Sequence, residues 1–112
     1  YGKLNAMFDF DFFVVGRIDF QEKAARFATK TMETVWRPSR SDGKSRDIMT
    51  HVLDPLQFYS YPPGFGFEGD SKTWVTPSNV QQRATEFAAF IQKKAAGYAT
   101  NSLLVPFGSD CK

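Results

Sequence analysis

The sequence predicts an α/β fold, a parallel strand-helix segment of a larger barrel or sheet that this chain leaves incomplete. Two apolar, strand-like runs, Phe12–Val15 and Ser102–Phe107, each stop at a glycine, Gly16 and Gly108. Stretches with helical periodicity lie between them, and antiparallel partners joined by short turns would not need such crossover helices. Strands this apolar want cover on both faces and neighbours on both edges. An isolated pair would leave backbone groups unpaired and apolar surface wet.

The first run hands over at Gly16 to Arg17 and Asp19. Asp19 is placed as an N-cap, with Glu22 at the reciprocal position of a capping box. Phe20, Ala24, Phe27, Thr31 and Val35 then recur at helical spacing, which predicts a helix ending near Trp36. Pro38 opposes continuation, because it lacks an amide hydrogen and pushes Arg37 out of the helical region. Lys23, Arg26, Lys30 and Glu33 fall on the opposite face and are expected to meet water.

Pro38–Val75 is far beyond the usual loop length of roughly 4 to 6 residues, which predicts a functional or partly structured segment. Its first part, Ser39–Asp47, is small, polar and mixed in charge, as a solvated loop is. In its second part Phe58, Tyr59, Tyr61, Phe65, Phe67 and Trp74 crowd around Pro62-Pro63-Gly64, which stiffen and turn the chain. These aromatics either line a pocket or only pack the loop onto the domain.

A second helix is expected from about Thr76-Pro77-Ser78, carried by Val80, Ala84, Phe87, Ala88, Ile91, Ala95 and Tyr98. Gln82, Arg83, Glu86, Lys93 and Lys94 form its polar complement, as on an outer helix packed by one face on a sheet. The strand Ser102–Phe107 follows, and Pro106 marks its end by removing a backbone donor.

At 112 residues the chain supplies at most one domain, and 42% hydrophobic with 16% aromatic residues is too apolar for a disordered tail. The formal charge of +2 lacks the dense basic stripe that phosphate binding requires, so nucleic acid is not an expected partner. No apolar run approaches the ~20 residues that span a bilayer, and no signal-peptide pattern opens the chain; no membrane partner is expected. The single cysteine, Cys111, excludes an internal disulfide, and the single histidine, His51, argues against a self-contained metal site.

Asp110 lies just beyond a strand end, where parallel sheets place their ligands. Its other reading is a turn residue or a helix cap. Arg17 has the same placement, and its planar, always-charged fork can hold a substrate hydroxyl, an enzyme carboxylate or a structural ion-pair partner. Asp19 is assigned mainly to capping, His51 to ordinary hydrogen bonding, and Cys111 to a non-catalytic thiol. Aromatics beside an acid suit carbohydrate chemistry. Glycosidases usually need two carboxylates, roughly 5 to 5.5 Å apart in retaining enzymes, and only Asp110 presents itself.

These residues resemble glycoside hydrolase family 38, the class II α-mannosidases, and most closely the lysosomal or vacuolar branch. The resemblance rests on Phe10 through Lys23, on Met32-Glu33-Thr34-Val35-Trp36-Arg37, and on Thr100-Asn101 through Gly108-Ser109-Asp110. It implies part of an N-terminal catalytic domain, a seven-stranded (β/α) barrel, in an enzyme that removes α-linked mannose from glycans with retention. Asp110 matches the family's general acid/base and Arg17 its active-site arginine. A substrate-contacting tyrosine corresponds to Tyr59 if the spacing to Pro63-Gly64-Phe65 is kept. It corresponds to Tyr61 if the Phe58-Tyr59-Ser60-Tyr61 run is aligned with Golgi members, which continue with an aspartate where this chain has Pro62.

The resemblance also implies a zinc cofactor and a nucleophilic aspartate, both supplied by segments without a counterpart here. No zinc ligand carries over to this chain, and the remainder of the catalytic domain becomes an expected partner. Two other readings stay open: a non-catalytic carbohydrate-binding or interaction module built on the aromatic loop, and a Golgi-type trimming mannosidase.

Overall fold

β-Branched and aromatic residues build a mixed three-stranded sheet at the centre of the chain. The computed structural model describes residues 1–66 and 74–108. Strand β1 is Phe12–Val15, β2 is Glu33–Trp36 and β3 is Ile48–Val52, in the order β1-β3-β2. β1 runs parallel to β3 with Phe13 beside Thr50 and Val15 beside Val52. β2 is antiparallel to β3, with Glu33 opposite His51 and Trp36 opposite Ile48. The central strand is the most buried; only Met49 in it is exposed.

Helix α1, Gly2–Met7, precedes β1, and its buried Gly2 lies against the Trp36 ring, where an added methyl would sit 2.7 Å from ring carbons. Helix α2, Phe20–Thr29, is capped by Asp19, whose Oδ1 accepts from the amides of Gln21 and Glu22 at 3.0 Å. Glu22 does not close a capping box; its carboxylate takes the Arg26 Nε donor at 2.7 Å. Helix α3, Val80–Ala95, starts after Asn79, whose Oδ1 accepts from Thr76 N at 2.8 Å. No helix among the described residues is long and apolar enough to cross a membrane.

Four expectations need correction. The first helix does not reach Trp36: Lys30 turns left-handed at φ 57, and Thr31 N bonds Arg26 O at 2.9 Å to close the end. Beyond it Thr34, Val35 and Trp36 find a strand partner in β3, and the i, i+4 match of Thr31 and Val35 to Phe27 is incidental. On α2 itself Phe20 and Ala24 are exposed, whereas Lys23 and Arg26 of the expected water face are partly covered.

Secondly, the partly structured segment Pro38–Val75 supplies a strand that was not expected, the central β3, beside a 3-10 turn at Gly43–Arg46. Thirdly, Ser102–Phe107 forms no strand; the partner that runs parallel to β1 is β3. The run instead lays Leu103 and Leu104 along a cleft of about 460 Å³ shared with Phe12, Met49 and His51. Fourthly, Lys94 of the polar face expected on α3 is fully buried.

Met32, Val52 and Tyr98 form the buried core, with Val15, Ile18, Phe27 and Leu103 packed against it. Tyr98 joins the core from just beyond α3, and Gly97 makes this possible by letting the Phe27 ring approach its backbone. The core is small for so apolar a chain: Phe8, Phe10, Phe12, Phe20 and Phe107 stay exposed. The radius of gyration is 16.9 Å, against roughly 13 Å for a compact chain of about this length.

Candidate active-site rim

The end of β1 and the aromatic loop meet at Gly16. Its amide donates to the Tyr59 hydroxyl at 2.5 Å, and its carbonyl accepts from Lys23 Nζ. A Cβ at this position would lie 2.7 to 2.9 Å from Tyr59 and Phe58 ring atoms, so only glycine allows this approach. Because the Tyr59 oxygen accepts from Gly16, its own proton is left to donate outward.

Phe58 packs edge-on to Tyr59 at 4.4 Å between centroids. Its ring also lies 5.4 Å from the Arg17 guanidinium and 5.4 Å from Lys23 Nζ, within the range of cation-π attraction. Burial, partly opposed by the Asp54 carboxylate, holds the Lys23 ammonium below its usual value. Arg17 itself is exposed. Its side chain edges an open cleft of about 480 Å³ with Phe13, Val15 and Trp36.

The expected rim residues therefore separate. Arg17 and Tyr59 share one corner, joined through Phe58 and Gly16. Tyr61 points elsewhere, with its ring edge-on to Phe107 at 6.3 Å. That second aromatic group continues through Phe87 to Phe65, over which the Arg83 guanidinium sits at 4.4 Å. Asp110 and Cys111 lie outside the described residues, as does Phe67 of the aromatic loop.

His51 is held on both ring nitrogens, with Nδ1 3.0 Å from Glu33 Oε1 and Nε2 3.4 Å from the Tyr98 hydroxyl. Tyr98 stacks on it at 5.2 Å. Among the described residues no group of three or more His, Cys, Asp or Glu could hold a metal ion. The described residues do not fit a zinc site.

Asp54, Gln57 and Lys94 were not singled out from the sequence, yet they support the rim from below. Asp54 is 1% exposed. Its Oδ1 accepts from the amides of Leu56 and Gln57 at 2.9 and 3.1 Å. Its Oδ2 accepts from Lys94 Nζ and, at 3.0 Å, from the Tyr98 hydroxyl. Burial foremost, then the Asp54 carboxylate, pushes the Tyr98 phenol well above its usual range. Two signals pointed here: Asp54-Pro55 is a turn dipeptide, and Lys94 falls on the apolar stripe of Ile91 and Tyr98 rather than opposite it.

The arrangement at Gly16 is one that presents a cation and a phenol beside an aromatic face at a strand end of an α/β chain, a combination suited to polyhydroxylated ligands. The model of the glycosyl hydrolases family 38 N-terminal domain matches residues 2–112. A lysosomal alpha-mannosidase of Dictyostelium discoideum is 39% identical over 106 residues, covering 90% of this chain and 10% of that protein. An alpha-mannosidase of Arabidopsis thaliana is 34% identical over 114 residues, covering 96% of this chain and 11% of its own. One of Canavalia ensiformis is 33% identical over 118 residues, 96% of this chain and 11% of that protein. The chain belongs to glycosyl hydrolase family 38, within its N-terminal domain. It spans about a tenth of the length of the curated relatives it matches.

Proposed function

We propose that the chain is a segment of the catalytic domain of a retaining α-mannosidase that hydrolyses terminal α-linked mannose from glycans. The family match over residues 2–112 carries the reading. The exposed phenylalanines and the extended radius of gyration support the need for further barrel strands from the remainder of a seven-stranded (β/α) domain. The similarity to a lysosomal relative supports a lysosomal or vacuolar site of action.

Asp110 is the general acid/base. As a carboxylic acid it gives its proton to the glycosidic oxygen while the bond from that oxygen to the anomeric carbon breaks and a carboxylate outside this chain bonds to the same carbon. As a carboxylate it then takes a proton from the water that releases the sugar. Arg17 orients acidic groups and hydroxyls at the sugar. Tyr59 is the loop tyrosine that meets substrate: its bond to Gly16 keeps it beside Arg17, whereas the Tyr61 ring turns toward Phe107. The zinc that the family uses would be held by residues of the complete enzyme outside this chain.

In the complete protein, Asp110→Asn is expected to lower turnover of α-mannosides by about 10²- to 10⁴-fold with zinc content unchanged. Unchanged turnover removes Asp110 from the role.

A further inference from the structure

Gln57 joins the two pieces of chain that carry the proposed substrate and acid residues. Its Nε2 donates to Ser60 O at 2.9 Å, inside the aromatic loop, and to Pro106 O at 2.6 Å, in the segment that runs on to Asp110. Two carbonyl acceptors fix the orientation of the amide, because its oxygen could accept from neither. The residue is 2% exposed, so water does not readily replace either bond. Its own backbone is tied down, since Gln57 N donates to Asp54 Oδ1 at 3.1 Å and Asp54 is held by Lys94 and Tyr98.

Pro106 has no N–H, and Ser102–Phe107 belongs to no sheet. A regular ladder therefore does not place this segment. Among the described residues, its contacts with the aromatic loop include the Gln57 amide and the Tyr61–Phe107 ring pair. Of these, the amide is the directional one. We infer that Gln57 is a positioning residue that holds the chain at Pro106, four residues before Asp110 in sequence, against the substrate loop carrying Tyr59, anchored by the buried Asp54–Lys94 pair. The inference rests on the proposed role of Asp110 as the acid.

A misplaced acid hurts most where the leaving group needs a proton. In the complete enzyme, kcat/KM is measured for an aryl α-mannoside with a strongly acidic phenol and for an alkyl α-mannoside. The ratio of the two is taken within one preparation, which makes it independent of the fraction folded. Gln57→Met removes both donors at similar volume, and Gln57→Glu keeps the shape but turns an oxygen toward the carbonyls. Both are expected to raise the aryl-to-alkyl ratio by about tenfold or more, as a displaced catalytic group does, and Asp110→Asn by more still. If Asp110→Asn raises the ratio and both Gln57 variants leave it within about twofold of wild type, or lose both substrates equally, the positioning role is overturned and the acid assignment stands. If Asp110→Asn also leaves the ratio unchanged, both fall.

Discussion

Replacing Lys94 by methionine removes the cation of the buried pair and nothing else of similar size. Both side chains are 0% exposed, so the remaining Asp54 carboxylate has no solvent to turn to. Breaking a buried pair from one side costs about 3 to 5 kcal/mol. Asp54 keeps three donors, from Leu56 N, Gln57 N and the Tyr98 hydroxyl. These place the loss at the lower end, about 3 kcal/mol, which is on the order of 10²-fold in an opening equilibrium. The cost falls locally, on the turn that Asp54 organises, and hydrogen exchange read by mass spectrometry on the complete protein reports such openings segment by segment. Lys94→Met is expected to speed exchange in a peptide spanning Leu53–Gln57 by that factor. Adding Asp54→Asn should recover most of the protection, because the uncompensated charge goes while the oxygen that accepts both amides stays. Exchange within about threefold of wild type in Lys94→Met, or no recovery in the double variant, would show that the pair does not hold the turn.

Gly97→Ala places a methyl inside the Phe27 ring; overpacking of this kind costs about 1 to 3 kcal/mol and is expected to expose the Phe27 and Tyr98 contacts to faster exchange. Tyr59→Phe strands the Gly16 amide and removes the outward donor, so it is expected to raise KM and lower kcat/KM for α-mannosides by about tenfold or more. Tyr61→Phe, turned toward Phe107, should change them less than about threefold. The Tyr98 phenol is raised above its ordinary 10.0, and a group raised on folding contributes its stability fully below the unfolded value and loses it as pH rises through the folded one. In base titration followed by phenolate absorbance, Tyr98 should ionise only as the core opens, and Tyr98→Phe should remove that step.

The end of β1 and the start of α2 were more legible in the sequence than the pairing of the strands. Gly16 after Phe12–Val15 and Asp19 before α2 are local signals, and a single turn of chain decides them. β3 was hidden because Thr50 and His51 interrupt its apolar pattern, and what makes it a strand is nonlocal pairing on both edges. β2 was hidden because Val35 falls in phase with the helix before it, and only the left-handed Lys30 breaks that phase. Ser102–Phe107 shows the opposite case: its composition is that of a strand, yet it has no ladder partner among the described residues. At the rim, the position of Arg17 just after the strand-ending glycine was legible, and which of Tyr59 and Tyr61 packs beside it was not. That choice depends on which ring reaches Gly16, a contact between residues distant in sequence. Lys94 was misread because its charge outweighed its position on the buried stripe, and its partner Asp54 sits on another element.

The central claim is that this chain carries the acid/base of a retaining α-mannosidase in Asp110. The most direct test gives the Asp110→Asn form of the complete enzyme an activated aryl α-mannoside in the presence of azide. With the acid/base gone, the glycosyl-enzyme forms from the activated substrate but water attacks it slowly; azide, which needs no base, takes its place. The account predicts that azide restores turnover and that the product is α-mannosyl azide, with configuration retained. Turnover that azide does not restore, or a β-mannosyl azide, would contradict it.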